Sequence, residues 1–279
     1  MPHSVFRCNL FCFSLFVVIF SVFRVSTLSN PLLYCRSGAL IQPERWGPGA
    51  YDVAYPRNYT FVIADTPVCK STAPFLLLVV PVAPGGRATR DAIRETWGSQ
   101  KQVLGRTVET LFMLGLPGGA DAGPQQEEVR RESRKHRDLI QSDFLDSYRN
   151  LTIKTMMILE WVSSNCLHTS YAMKVDSDVF VQVENLMKLL LDPSTAKENY
   201  VTGLVLWHNK VLRNPLDKFY MPRQVVPEPF YPPYPLGMSY VMSMDLPAKI
   251  LKVSPQIKPV IFEDVYLGMC LKGLGVLPT

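Results

Sequence analysis

From residue 75 onward, short apolar runs alternate with amphipathic stretches. "FLLLVVPV" (75–82) is uninterrupted, the pattern of a strand buried on both faces. "APGG" turns the chain, and "RATRDAIRETWG" (87–98) follows, with Ile93 and Trp97 one helical turn apart and Gly98 as a stop. "VETLFMLGL" (108–116) predicts a second strand and "GPQQEEVRRESRKHR" (123–137) a second helix. In "NLTIKTMMILEWVSSNC" (150–166), Leu151, Thr155, Ile158, Leu159 and Val162 share one face of a third helix, and "SYAMKV" (170–175) is the strand after it. Strand and helix alternate, which predicts an α/β domain with a mainly parallel sheet. No internal repeat interrupts the pattern.

The amino-terminal pattern differs. "CNLFCFSLFVVIFSVF" (8–23) carries no charge and lies between Arg7 and Arg24. Snorkelling arginines extend such a run to span a thin membrane of the early secretory pathway. The following "RVSTLSNPLLYC" has no small-residue cleavage site, which favours an uncleaved anchor over a signal peptide. The expected organisation is a cytosolic tail over 1–7, an anchor over 8–25, a stem over 26–72 and a lumenal domain from 73 to 279. The stem is rich in Pro, Gly and Tyr and has no sustained period, so little regular structure is expected there. A lumenal address agrees with two acceptor sequences for N-glycosylation, at Asn58 and Asn150. Cys35, Cys69, Cys166 and Cys270 lie beyond the anchor without metal-ligand spacing, and three disulfide pairings are open to them.

Composition narrows the class. The chain of 279 residues is 47% hydrophobic and 19% charged, with a net charge of +5, which is globular rather than disordered. The densest basic stretch, "VRRESRKHR" (129–137), includes a Glu and no aromatic residue, and reads as a solvated helix face rather than a nucleic-acid surface. Neither a phosphate-binding P-loop nor a G-x-G-x-x-G turn occurs.

The chemistry sits in "YAMKVDSDVFV" (171–181), where Asp176 and Asp178 interrupt an apolar strand at its carboxyl end. A like-charged pair at that spacing is unfavourable without a cation between them. Ligands of open α/β sheets bind at that end of the strands. Two carboxylates on a turn are hard oxygen ligands suited to Mg²⁺ or Mn²⁺, ions that bridge to a substrate's phosphates. In a secretory compartment a nucleotide-sugar donor fits. A plain surface turn is the bland alternative, since a D-x-D triplet arises about once by chance at this length.

Five segments in order resemble one family: "RDAIRETWGS" (90–99), "DFLDSYRNLTIKT" (143–155), "YAMKVDSDVFV" (171–181), "YPPYPLGMSYVMS" (231–243) and "FEDVYLGMCL" (262–271). Together they are similar to the motif set of the β-1,3-galactosyltransferases, glycosyltransferase family 31. The resemblance covers about residue 73 to the last and implies a type II Golgi membrane protein with a GT-A fold. It also implies Mn²⁺, a UDP-galactose donor and inversion at the transferred sugar. The glycan acceptor would be GlcNAc- or GalNAc-terminated, on a protein or a lipid.

Carried onto this chain, the resemblance gives Asp178 the metal and Asp176 a place beside the ribose or the metal's water shell. Asp264 matches the general base, with Glu263 beside it, and the loop carrying Tyr234 and Tyr240 lies on the acceptor side. Arg90 and Arg94, four apart on one helix face, are candidates for phosphate or uridine contact; ion pairs with Asp91 and Glu95 are the rival reading. Likewise, Glu263 and Asp264 open a helical pattern where acids suit the dipole in any protein. Cys69 and Cys166 are the disulfide to join first, because one precedes the first core strand and the other follows the third helix.

Two departures stand out. Pro235, Leu236 and Ser239 replace the Cys, Ser and second Gly usual in the family's Tyr-Pro-Pro-Tyr loop. Family members also continue for several tens of residues beyond the position of Thr279, with a Cys for Cys270 and a His near the metal, so the resemblance implies an incomplete carboxyl terminus. A β-1,3-N-acetylglucosaminyltransferase and an inactive glycan-binding member of the fold are the alternatives.

Overall fold

The computed structural model describes residues 55, 57–70 and 73–279. The tail, the anchor run and most of the stem lie outside the described residues, as do Cys8, Cys12 and Cys35. Among the described residues, no helix is long and apolar enough to cross a membrane.

The central strands are those the apolar runs predict: β2 (Leu76–Pro81), β4 (Arg106–Leu116) and β6 (Tyr171–Val175), joined by β5 (Leu139–Leu145). These four are mutually parallel in the order β5-β4-β2-β6. Successive residues of β2 go to opposite faces, Leu76, Leu78 and Val80 to one core and Leu77 and Val79 to the other, and all are essentially inaccessible. The crossovers are α1 (Arg87–Glu95), α2 (Ala122–His136) and α3 (Leu151–Asn165).

The sheet is mixed, with the parallel strands at its centre, but it is not mainly parallel, because antiparallel strands add at both edges. The short β1 (Phe61–Ile63) adds antiparallel to β5 at one edge, and β3 (Gln102–Val103) pairs antiparallel with β4. At the other edge β8 (Tyr234–Ser243) runs antiparallel to β6, with β7 (Val201–Leu206) outside it. β1 belongs to the segment expected to be stem. Just ahead of it, Arg57 donates to Ser254 Oγ at 2.7 Å and to Tyr266 Oη at 3.2 Å, so the folded unit starts before residue 73. Asn58 is exposed beside this tether, while the amide of Asn150 donates to the Leu145 carbonyl at 2.8 Å.

α3 is buried on both sides, not on one face alone. Ile153, Met157 and Trp161 pack on the sheet, while Met156 and Leu159 join a second core with α5 (Leu246–Val253) and α6 (Glu263–Leu274). The same core holds Tyr234, Tyr240 and Cys270. α4 (Val183–Leu191) follows β6, and Val183, Met187 and Leu190 cover the other face of the sheet. α2 presents Arg130, Arg131 and Arg134 to solvent beside Glu127 and Glu128, the solvated face the basic run predicts.

Cys69 and Cys166 are joined by a disulfide across 97 residues of sequence, and Cys270 is a free, buried thiol. The bridge ties the β1 segment to the end of α3. Closing a loop of that length constrains the unfolded chain. Cys69→Ser/Cys166→Ser is therefore expected to lose about 2–4 kcal/mol of stability, read as a lower midpoint in denaturant.

Candidate active site

Asp176 directly follows β6. Its backbone N–H donates to the Met238 carbonyl of β8 at 2.9 Å and its carbonyl accepts from Val179 N–H at 3.1 Å, a turn that lifts the carboxylate to the sheet's carboxyl edge. The turn opens onto a cleft of about 460 Å³ lined by Asp176, Lys174, Glu263, Asp264 and the side chains of Tyr148 and Tyr234. Asp178 lies two residues on, exposed, with no hydrogen bond or ion pair among the described residues. The structure thus brings Asp176, Glu263, Asp264, Tyr234 and Tyr240 together and leaves Asp178 exposed, outside the residues that line the cleft.

α6 supplies the two acids from its first turn. Phe262 is its N-cap in extended conformation, so Glu263 and Asp264 leave the helix start in different directions. Glu263 turns inward. Its Oε2 accepts from Thr155 Oγ1 at 3.2 Å and Tyr240 Oη at 3.3 Å, and its Oε1 from Lys174 Nζ at 2.9 Å. Asp264 faces the cleft, with Oδ2 accepting the Gly237 N–H at 3.0 Å and Oδ1 the Val265 N–H at 2.8 Å. Burial pushes the Asp264 carboxyl above the ordinary carboxylate range, against the pull of those two N–H groups. Burial likewise raises Glu263, against the Lys174 ammonium. A carboxylate aimed at a cleft with a raised pKa suits proton abstraction from a hydroxyl.

Two glycines make this approach possible. A Cβ on Gly268 would stand 2.5 Å from Tyr234 Cβ, so α6 packs directly on the Tyr234 strand. A Cβ on Gly237 would stand 2.5 Å from Glu263 Oε1 and 3.3 Å from Asp264 Oδ2. Because Glu263 is pinned by three partners, Gly237→Ala should displace the acids. We expect turnover to drop about tenfold or more in a steady-state assay, since misplacing reacting groups by about 1 Å is costly.

Arg90 and Arg94 are not among the residues that line this cleft. Arg90 is 1% exposed, and its guanidinium is used by Glu132 (2.6 and 2.8 Å) and the carbonyls of Ala83 and Pro84. Arg94 bonds Glu132 at 2.7 Å, Asp138 at 2.8 Å and Asp91 at 2.6 Å. The pairing is largely buried rather than superficial: the expected Asp91 is joined by Glu132 and Asp138, on and after α2, and Glu95 takes no part. Tyr240 is also deeper than an acceptor contact requires, being 1% exposed beneath Glu263. Tyr234 lines the cleft wall, with its hydroxyl bonded by Asn209.

Lys174 is the site residue that sequence reasoning passed over. It lies within β6 with its Nζ 2.6 Å from Asp176 Oδ1, and it also donates to the Gly237 carbonyl. Burial opposes its charge, and the carboxylates of Glu263 and Asp176 more than offset that, holding the ammonium above its usual range. The signal was a single lysine inside a strand whose other residues are all buried.

No group of three or more His, Cys, Asp or Glu side chains that could hold a metal occurs among the described residues. The donor set is two carboxylates, Asp176 with one oxygen free and Asp178 with both. That suits a hard divalent cation that draws its remaining oxygens from water and a diphosphate, and does not suit a closed structural site.

The family model described as Galactosyltransferase matches residues 88–279. "Beta-1,3-galactosyltransferase 2" of Homo sapiens is 40% identical over 228 residues, covering 81% of this chain and 54% of that protein. "Beta-1,3-galactosyltransferase 1" of Mus musculus is 39% identical over 225 residues, covering 80% of this chain and 68% of that one. The chain thus spans little more than half the length of the first of these relatives. Among solved structures, a mannosyltransferase from Pyrobaculum calidifontis in complex with GDP-Man and Mn²⁺ is similar over 78% of this chain and 57% of its own, with TM-score 0.38 and 14% identity. The galactosyltransferase LgtC is similar over 72% of each chain, with TM-score 0.37 and 13% identity. On the family match and the identity to these relatives, the chain belongs to the Galactosyltransferase family.

Proposed function

We propose that this chain is an inverting β-1,3-galactosyltransferase of GT-A type that moves galactose from UDP-galactose to the 3-hydroxyl of a GlcNAc- or GalNAc-terminated glycan. The observation that carries the reading is the meeting of Asp176, from the carboxyl end of β6, with Asp264, from the first turn of α6, across one cleft. Family membership supports the reaction class.

Asp178 and Asp176 are the residues that would hold Mn²⁺. When bound, the cation offsets the charge that develops on the leaving diphosphate. Asp264 takes the proton from the acceptor's 3-hydroxyl as that oxygen forms its bond to the sugar's C1. The bond from C1 to the diphosphate oxygen breaks, and its electron pair leaves with UDP. Gly237 N–H and Val265 N–H orient the Asp264 carboxylate and leave lone pairs on both oxygens for the hydroxyl. Tyr148, Tyr234 and Phe219 line the cleft with aromatic surface against which a sugar ring packs. Leu236, one of the departures from the family's loop, also lines it, so acceptor preference is the property it is placed to alter.

The expected address is the Golgi, with the chain anchored through residues 8–25 and the catalytic domain lumenal. The apolar run, the two glycosylation sequences and the disulfide support it. The reaction is tested by incubating the full chain with a panel of UDP-sugars and GlcNAc- or GalNAc-terminated acceptors, with and without Mn²⁺. Metal-dependent transfer of galactose in β-1,3 linkage is the expected result. Preference for UDP-GlcNAc would replace the donor, and binding without transfer to any acceptor would replace the enzyme with a glycan-binding protein.

A further inference from the structure

One ammonium touches both sides of the cleft. The Lys174 side chain is 6% exposed, and its Nζ has three acceptors: Asp176 Oδ1 at 2.6 Å, Glu263 Oε1 at 2.9 Å and the Gly237 carbonyl. An ammonium has three N–H donors, so none is left for water or a ligand. The acceptors come from the end of β6, from β8 and from the first turn of α6. The ammonium also lies 5.9 Å from the centroid of the Tyr240 ring, which closes the pocket from below. Lys174 does not touch Asp264. Gly237 connects them through its two flanking peptide groups, the carbonyl on its carboxyl side accepting from Lys174 and the N–H on its amino side donating to Asp264 Oδ2 at 3.0 Å.

We propose that Lys174 is a positioning residue that ties the donor-side carboxylate Asp176 to the base Asp264 through the backbone of Gly237, and that it withholds Asp176 from a divalent cation arriving without a diphosphate. The inference rests on the donor and base roles given above. With one Asp176 oxygen bonded to an ammonium, a dication alone meets only the charge of Asp178 undiminished. A diphosphate brings further negative charge, so cation and donor enter together. The same contact fixes the turn after β6 against the Gly237 backbone, whose N–H aims the base, so the leaving-group side and the attacking side keep one geometry.

The test measures Mn²⁺ binding to the full chain by electron paramagnetic resonance without nucleotide, beside turnover at saturating donor. Lys174→Met is expected to bind Mn²⁺ about tenfold more tightly, because a cation close to the site is gone. Its kcat should fall about a hundredfold, because the base is no longer aimed. Lys174→Arg keeps the charge and should leave nucleotide-free Mn²⁺ affinity at the wild-type value. Adding Asp176→Asn to Lys174→Met should cancel the gain. If Lys174→Met fails to fold because Glu263 is left unpaired, Lys174→Met/Glu263→Gln leaves no unpaired buried charge and carries the same measurement. Unchanged Mn²⁺ affinity in a folded variant lacking the lysine would overturn the proposal, whatever its melting temperature. Failure of the unmodified chain to bind Mn²⁺ even with UDP would instead overturn the donor-site reading, a distinct outcome.

Discussion

Asp264→Asn is expected to lower turnover by about a hundredfold or more while UDP and Mn²⁺ binding survive. The amide has the shape of the carboxylate but cannot take the acceptor's proton. It also has one acceptor oxygen where the carboxylate has two, and Gly237 N–H and Val265 N–H each use a different oxygen. One backbone N–H therefore loses its partner, at about 1 kcal/mol, which leaves the domain folded. The pH profile adds a second readout. Burial raises Asp264, and activity needs the carboxylate, so kcat should fall as pH drops through a limb above the ordinary carboxylate range. The variant's residual activity should lack that limb. Calorimetry of UDP binding beside steady-state kinetics separates loss of the base from loss of the donor site.

The second large effect is on stability. Glu132→Leu should destabilise the domain by about 3–5 kcal/mol, because it leaves the Arg90 guanidinium buried and without a counter-charge. Glu132 and Arg90 are each only 1% exposed in their side chains, and the two Glu132 oxygens bind Arg90 twice and Arg94 once. Burial alone would raise the Glu132 carboxyl, but its bonds to Arg90 and Arg94 prevail and hold it below its ordinary range. A depressed folded pKa means that this contribution is complete above the unfolded pKa and is lost as pH falls through the folded value. Denaturant titration at neutral pH measures the loss. In the wild-type chain the same interaction should weaken in acid.

Which features the sequence discloses follows from how each residue is surrounded. β2, β4 and β6 are legible because each is dominated by apolar, strand-forming residues, uninterrupted in β2, and is bounded by turn residues. β5 is not, because "LIQSDFL" places Gln141 and Ser142 in its middle, and both are fully buried. Gln141 is satisfied by the Gly115 carbonyl at 2.8 Å and by Gln126, a tertiary arrangement that no local pattern announces. β8 contains Pro235 and Gly237 and reads as a loop, yet it pairs along β6 from Tyr171↔Ser243 to Val175↔Ser239. Motif order singled out Asp176 and Asp264, and the structure brings both to one cleft. Lys174 was hidden because its partners lie up to 89 residues away. The partner of Arg90 was missed because Glu132 sits inside a basic run, where a lone acid looks like a surface charge.

The central claim is that the Asp176–Asp178 turn serves a cation and a nucleotide-sugar diphosphate opposite Asp264. The most direct test is Mn²⁺-dependent galactose transfer by Asp178→Asn beside the unmodified chain. Asp178 is exposed and unpaired among the described residues, so the substitution keeps size and turn preference and removes only charge. The account predicts that transfer is abolished with the melting temperature unchanged. Full Mn²⁺-dependent transfer by the Asn variant would mean that Asp178 is an ordinary turn residue, and would contradict the account.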